Sequence, residues 1–262
     1  GCDNGLMPMK TVRANGVRPA TSGSGPTLSY TTGLTLWFKA DALVLNDGDA
    51  VTTWADSSGN GYDLSQSVAG EKPTYKTGIL NGRPVVRFDG GDHLNRDTTA
   101  LPLRTHSLFI VFREASAVTS AGVFVMKPAT GNDYDRNDGI ALDTYDNTGY
   151  LTVSAGTPSQ YTTYVGSTGA SPWGVYTHAL STTGVLYYNG SAGTPDATFS
   201  TLDVNSAGGF LVGARYIGGA ISGGNILNGD VAEIILYNAV LATDARLTVE
   251  RYLGAKYGIT VA

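Results

Sequence analysis

The segment LTLWFKADA, Leu34–Ala42, sets the reading of the whole chain. Leu34, Leu36 and Phe38 alternate with Thr35, Trp37 and Lys39, the two-residue period of a strand that turns one face to a core. Upstream the character is different. PMKTVRANGVRPATSGSGP, residues 8–26, scatters Gly, Ser and Pro with no sustained apolar period, as an extended arm or linker does. We therefore divide the chain into an arm over residues 1–32 and one domain over residues 33–262.

Downstream the short apolar runs recur. VVRF (85–88), HSLFIVFR (106–113), GVFVM (122–126), GIAL (139–142) and YLTVS (150–154) are followed by VYTHALS (175–181), VLYYNG (185–190), GFLVGA (209–214) and DVAEIILYN (230–238). Turn signals such as GNG, NGR, DGGD and STTG separate them, so the chain reads as many short strands joined tightly. An all-β, antiparallel β-sandwich of the jelly-roll kind follows. One helix closes it. In LATDARLTVERYLGAKYGI (241–259), Thr243 is placed to cap the N-terminus, and Ala245, Val249, Tyr252 or Leu253, and Tyr257 make an apolar stripe that Gly258 stops.

Composition agrees with a strand-and-turn protein: 35 Gly, 15 Tyr and only 15 % charged residues in 262. The net charge of −5 and the lack of any basic run exclude a nucleic-acid partner, whose phosphates need clustered Lys and Arg. No apolar run approaches the ~18–20 residues that span a bilayer. Cys2 is the single cysteine, which excludes an intrachain disulfide and a cysteine zinc cluster. Its setting, GCDN, fits either an exposed thiol or the lipidated cysteine of a bacterial surface protein.

Two loops carry oxygen ligands. DSSGNGYDL (56–64) places Asp56, Ser58, Asn60 and Gly61 as a calcium loop would, but its twelfth position is Ser67 where a bidentate Glu belongs, and no helix flanks it. Asp56 and Asn60 bonding backbone amides, with Gly59 and Gly61 at positive φ, make it a tight turn instead. GNDYDRNDGIALD (131–143) is the better ion candidate: Asp133, Asp135, Asn137 and Asp138 concentrate the oxygens calcium prefers, against the alternative of a solvated polar loop. No cofactor is required, and calcium is the ion such a loop would take.

The chain resembles the concanavalin A-like lectin/glucanase superfamily, in particular the laminin G-like domains of bacterial and phage surface proteins. LWFKADAL (36–43), VTTWADSSGNGYDL (51–64), NGRPVVRFDGGDHL (81–94), WGVYTHALSTTGVLYYNG (173–190) and residues 229–259 carry the resemblance in order. It implies the jelly-roll sandwich, and calcium at the sandwich rim. It does not name a function, because one sandwich hosts lectins, hydrolases, adhesins and virion parts.

Catalysis is not signalled. Glycoside hydrolysis needs two carboxylates about 5–10 Å apart, whereas Asp230 and Glu233 are three apart and fall on opposite faces of a regular strand. Glu233 reads as a structural partner of backbone or Arg. His93, His106 and His178 lack metal-hydrolase spacing. The aromatic candidates for a ligand surface are Tyr161, Tyr164 and Trp173, around a Ser/Gly-rich connection, and Tyr134 and Tyr145 beside the acidic loop. The expectation is a non-catalytic recognition or adhesion module on an exterior surface, extracellular, on a cell or on a virion, binding a glycan or a surface protein. The alternatives are a capsid-decorating or fibre protein, with homo-oligomer assembly through the arm, and a polysaccharide hydrolase or lyase.

Overall fold

The strand His106–Glu114 shows no polar alternation because both of its faces are covered. Leu108, Ile110 and Phe112 face one apolar cluster while Phe109 and Val111 face another, and all five are buried. This strand lies near the middle of a nine-stranded sheet. Its order is Ser191–Ala192, Thr183–Tyr188, Gly174–Leu180, His106–Glu114, Asn228–Tyr237, Arg83–Asp89 and Thr74–Leu80. Leu34–Lys39 also pairs with Asn228–Tyr237, and Asp196–Thr198 with Thr183–Tyr188.

A second sheet of eight strands runs Gln160–Tyr164, Tyr150–Ala155, Ile140–Tyr145, Gly122–Lys127, Gly209–Val212, Leu94–Asp97, Leu64–Ser65 and Thr53–Trp54. Pairing in both sheets is antiparallel, so the architecture is the expected β-sandwich. The computed structural model describes Gly1 and residues 25–97, 101, 105–116, 118, 120–128, 130–133, 140–145, 150–155, 160–164, 172–193, 196–198 and 208–262. For 140, 145, 150–155, 160–164 and 196–198 it describes the backbone alone.

The sheets meet through Phe38, Phe88, Phe112 and Ile234 on one side and Trp54, Leu94, Phe124 and Phe210 on the other. The Phe38 ring lies 5.8 Å from that of Trp54 and 6.2 Å from that of Phe210. On the outer face of the first sheet, Val85, Phe109, Val111, Ile235 and Tyr237 receive Val249, Leu253 and Tyr257 of the helix Thr243–Tyr257. The same layer takes Leu28 and Tyr30 from the end of the arm, and Ile259 and Val261 after the helix. The Tyr237 hydroxyl donates to the Tyr30 carbonyl at 2.7 Å, so residues 25–32 are fastened to the sandwich. On the second sheet the outer cover is smaller, a hairpin of Ala214–Ile217 and Ala220–Ile226 resting on Val125, Ala141 and Leu211.

Two local expectations need correction. Thr243 is the first helical residue, not the cap; Ala242 takes the cap position and offers no side-chain bond, while Gly258 at φ +70° ends the helix as read. Asp230 and Glu233 do not face opposite ways. The register of Asn228–Tyr237 against His106–Glu114 shifts between Val231 and Glu233, leaving Ala232 as the extra residue of a bulge. Val231 and Ile234 therefore both point inward, while Asp230 and Glu233 share the outer face.

Removing the Leu253 side chain opens a cavity between helix and sheet, so Leu253→Ala should cost about 2–5 kcal/mol in urea unfolding. Acid should also destabilise the fold. Burial pushes the His178 imidazole well below its ordinary 6.5, with His106 adding to the effect, and burial likewise lowers His93. The unfolded chain then binds more protons than the native one below pH 6.5. Each histidine removes about 1.4 kcal/mol per pH unit as pH falls from there toward its native value. Asp92 acts the other way below pH 6, because burial, followed by the Asp89 carboxylate, raises it to about 6. His178→Gln should flatten the slope of stability against pH between 6 and 5 by about one proton.

Candidate functional site

The loop after Trp54 is a clasp. Asp56 accepts the backbone N–H of Trp37 at 3.0 Å, of Ser58 at 2.9 Å and of Tyr62 at 3.1 Å, and the Ser58 hydroxyl at 2.7 Å. The Asn60 amide donates to the Leu34 and Thr35 carbonyls. With Gly59 and Gly61 at φ +92° and +73°, the segment ties the two sheets together as a turn, with the Asp56 oxygens spent on backbone.

The acidic loop divides. Asp133 is fully buried and accepts Arg215 Nε at 2.7 Å, Arg215 Nη2 at 2.6 Å and the Tyr216 N–H at 2.7 Å. Arg215 also pairs with Asp143. Asp133 is thus the anchor of the outer hairpin rather than an exposed oxygen ligand, a role set by an arginine 82 residues away. Asp135, Asn137, Asp138 and Tyr134 lie outside the described residues, as does Cys2. Among the described residues no three His, Cys, Asp or Glu side chains group as a metal would require. Tyr145, Tyr161 and Tyr164 sit in strands of the second sheet, and their side chains lie outside the described set. Trp173 is half-buried in the outer layer of the first sheet, with the Arg113 guanidinium 5.2 Å from its ring.

The carboxylates weighed for catalysis are both engaged. Glu233 has no solvent exposure and accepts Trp37 Nε1 at 2.6 Å, Lys256 Nζ at 2.7 Å, the Tyr257 hydroxyl at 2.8 Å and the Tyr252 hydroxyl at 2.9 Å. Its partners are lysine, tyrosine and tryptophan, not the backbone or Arg expected. Asp230, also buried, accepts Arg87 through both oxygens and Arg113 at 2.8 Å. His106 and His178 form a buried pair, Nε2 to Nδ1 at 2.9 Å, between the sheets.

One open and polar cleft, of about 320 Å³, lies on the outer face of the second sheet. Leu64 and Leu94 enter the core, so alternation turns Ser65, Asn95 and Asp97 outward, with Ser65 opposite Asn95 in register. Asp63, Gln66, Ser67, His93 and Arg96 complete the lining. Lys127, nearly buried, donates from Nζ to Asn95 Oδ1 and to Asp97 Oδ1, each at 2.5 Å. Burial alone would raise the Asp97 carboxyl, but the bonds from Lys127 and Asn95 outweigh it and hold Asp97 below the usual carboxylate range. The Gln66 amide nitrogen stands 2.9 Å from His93 Nε2. With Gln66 donating there, the neutral ring carries its proton on Nδ1, which has no protein partner among the described residues. The cleft thus presents hydroxyls, amides and an ionised carboxylate, with the His93 ring buried in its wall, at a size near the lower end of small-ligand sites, ~300–1,000 Å³. Its residues lie in or beside strands of two and four residues, too short to show a period, which is why the sequence did not disclose it.

No family model matches the sequence, and no curated protein matches it. Among solved structures, domain 4 of AbnA, a GH43 extracellular arabinanase from Geobacillus stearothermophilus in complex with arabinotriose, is similar at 17 % identity and a TM-score of 0.56. The match covers 83 % of this chain and 97 % of that one. An arabinofuranosidase complexed with arabinofuranosyl-alpha-1,2-xylobiose is similar at 15 % identity and a TM-score of 0.56, over 79 % of this chain and 51 % of that one. A receptor binding domain is similar at 11 % identity and a TM-score of 0.50, over 85 % of this chain and 51 % of that one. These likenesses show the β-sandwich fold; the chain spans about half the length of the latter two.

Asp133→Asn should cost about 3–5 kcal/mol, because it leaves Arg215 underpaired in a buried site. Chemical denaturation should show the same loss with and without a calcium chelator.

Proposed function

We propose that the chain is a concanavalin A-like, non-catalytic recognition module for exterior glycans, with the polar cleft of the second sheet as its binding site. The observation that carries the reading is the arrangement of Asn95 and Asp97, both pinned by the nearly buried Lys127 beside His93. Vicinal sugar hydroxyls need donors and acceptors fixed side by side, and a carboxylate and amide locked on one ammonium supply them at little entropic cost. Engagement of Asp230 by two arginines and of Glu233 by four donors argues against hydrolysis, since a general acid or base must reach its substrate. The complex of AbnA domain 4 with arabinotriose makes arabino-oligosaccharides the first probes to try.

Calorimetric titration with arabinotriose, followed by a glycan array, tests the reading. A glycan that binds the chain should lose about tenfold or more in affinity with Asn95→Ala or Asp97→Asn, the cost of one to two hydrogen bonds to a charged or polar site. An array without a hit, or a hit insensitive to both substitutions, sinks it. Substrate turnover by the chain would favour the hydrolase alternative.

A further inference from the structure

Beyond the edge of the helix, the outer face of the first sheet carries three charged residues in a row across adjacent strands. Asp230 lies opposite Arg87 on one neighbour and Arg113 on the other. The carboxylate side chain is 1 % exposed, while the two guanidinium side chains are 37 % and 35 % exposed. Arg87 spends Nε and Nη2 on Asp230, at 2.6 Å and 3.0 Å; Arg113 spends the same two groups, at 2.8 Å and 2.7 Å. Nη1 of each arginine has no protein partner among the described residues. One arginine would neutralise Asp230, so the second leaves the triad with a net positive charge held on rigid strands.

The triad lines a cleft of about 290 Å³ together with Asp89, Ala115, Asn228 and Gly229. The Asn228 carbonyl accepts the N–H groups of Ala115 and Ser116, but its side-chain amide bonds to nothing in the protein among the described residues. Asp89 is exposed, with Oδ1 accepting the Gly91 N–H at 2.9 Å and its carboxylate beside that of Asp92. Behind Arg113 stands the half-buried Trp173 ring. The cleft therefore combines two forked cations, an idle amide and one anionic acceptor, with a net charge near zero once Asp89 is counted. A simple anion would be repelled by Asp89, whereas a sugar acid satisfies every group.

We propose that this cleft is a second ligand site, which takes an acidic sugar residue: its carboxylate on the Arg87 and Arg113 Nη1 groups, and its ring hydroxyls on Asp89 and the Asn228 amide. Arginine forks match a carboxylate in geometry as well as charge, and a buried Asp230 fixes both forks before the ligand arrives. The site is independent of the polar cleft: it lies on the other sheet and is tested with different probes and substitutions, so either reading can fail alone.

The carboxylate has two sugar sources, a hexuronic acid and a nine-carbon ulosonic acid. The experiment titrates the intact chain with trigalacturonate and with sialyllactose at low salt, reading tryptophan fluorescence and calorimetric heat, with neutral galactotriose and lactose as counterparts. One acidic probe should bind at least about tenfold more tightly than its neutral counterpart, the worth of one charge-assisted hydrogen bond or more, and which probe does so names the source. Arg87→Gln should weaken that binding about tenfold or more. Because Arg87→Gln also removes one partner of a buried carboxylate, Asn228→Ala is the second variant. It breaks no side-chain hydrogen bond among the described residues and should weaken binding severalfold. Equal binding of acidic and neutral probes, no binding of either acid, tighter binding of inorganic sulfate, or acid binding unaffected by both substitutions would each overturn the proposal.

Discussion

A carboxylate with no access to water organises the outer half of this protein. Placing Glu233 in the interior costs several kcal/mol, and only a full set of donors makes it tolerable. Lys256, Tyr252 and Tyr257 reach it from the helix, and Trp37 from the first strand of the sandwich. Burial, then the carboxylate itself, pushes both tyrosine hydroxyls far above their ordinary range, so they remain donors at any pH at which the protein folds. Lys256 passes the linkage on to Asp41, and Asp41 to Arg83, which donates in turn to the Lys256 carbonyl. The helix is thus located by polar bonds of fixed direction, while Val249 and Leu253 supply the non-directional burial. Covering the first sheet on both sides is what lets its central strands carry apolar residues on both faces.

The bulge at Ala232 decides how the acidic residues of that central strand are used. Without the extra residue, Asp230 or Glu233 would point into the apolar core between the sheets. With it, both emerge on the outer face, Glu233 beneath the helix and Asp230 beyond it between two arginines. One irregularity therefore accommodates two buried ion centres on a single strand.

Much of this architecture was legible from residue patterns, and the failures share a cause. Period-two runs marked the principal strands, the stripe Val249, Leu253 and Tyr257 marked the docking face, and Asp56 with Gly59 and Gly61 marked the turn. Each is a local signal, decided by residues a few positions apart. The bulge was not legible, because it is a relation between two strands more than a hundred residues apart in the chain. Asp133 looked like an ion ligand because nothing near it reveals Arg215. The polar cleft was hidden for the same reason: Ser65, Asn95 and Lys127 meet only when three strands align, and a lysine at the end of the apolar run GVFVM reads as a strand terminus rather than a buried clamp. Among the aromatic candidates, Trp173 backs an arginine that no local pattern links to it.

The two clefts open on opposite faces of the sandwich. Between them stand two sheets separated by about 10 Å of core, each with its own outer side chains. A single linear chain lying in one cleft would have to bend around the rim to enter the other. Two occupants would be held apart and back to back, with the rigid core setting their spacing. Geometrically the domain is a rivet rather than a clamp: what it would join are separate molecules on either side of it, and the stiffness of the joint is that of the sandwich itself.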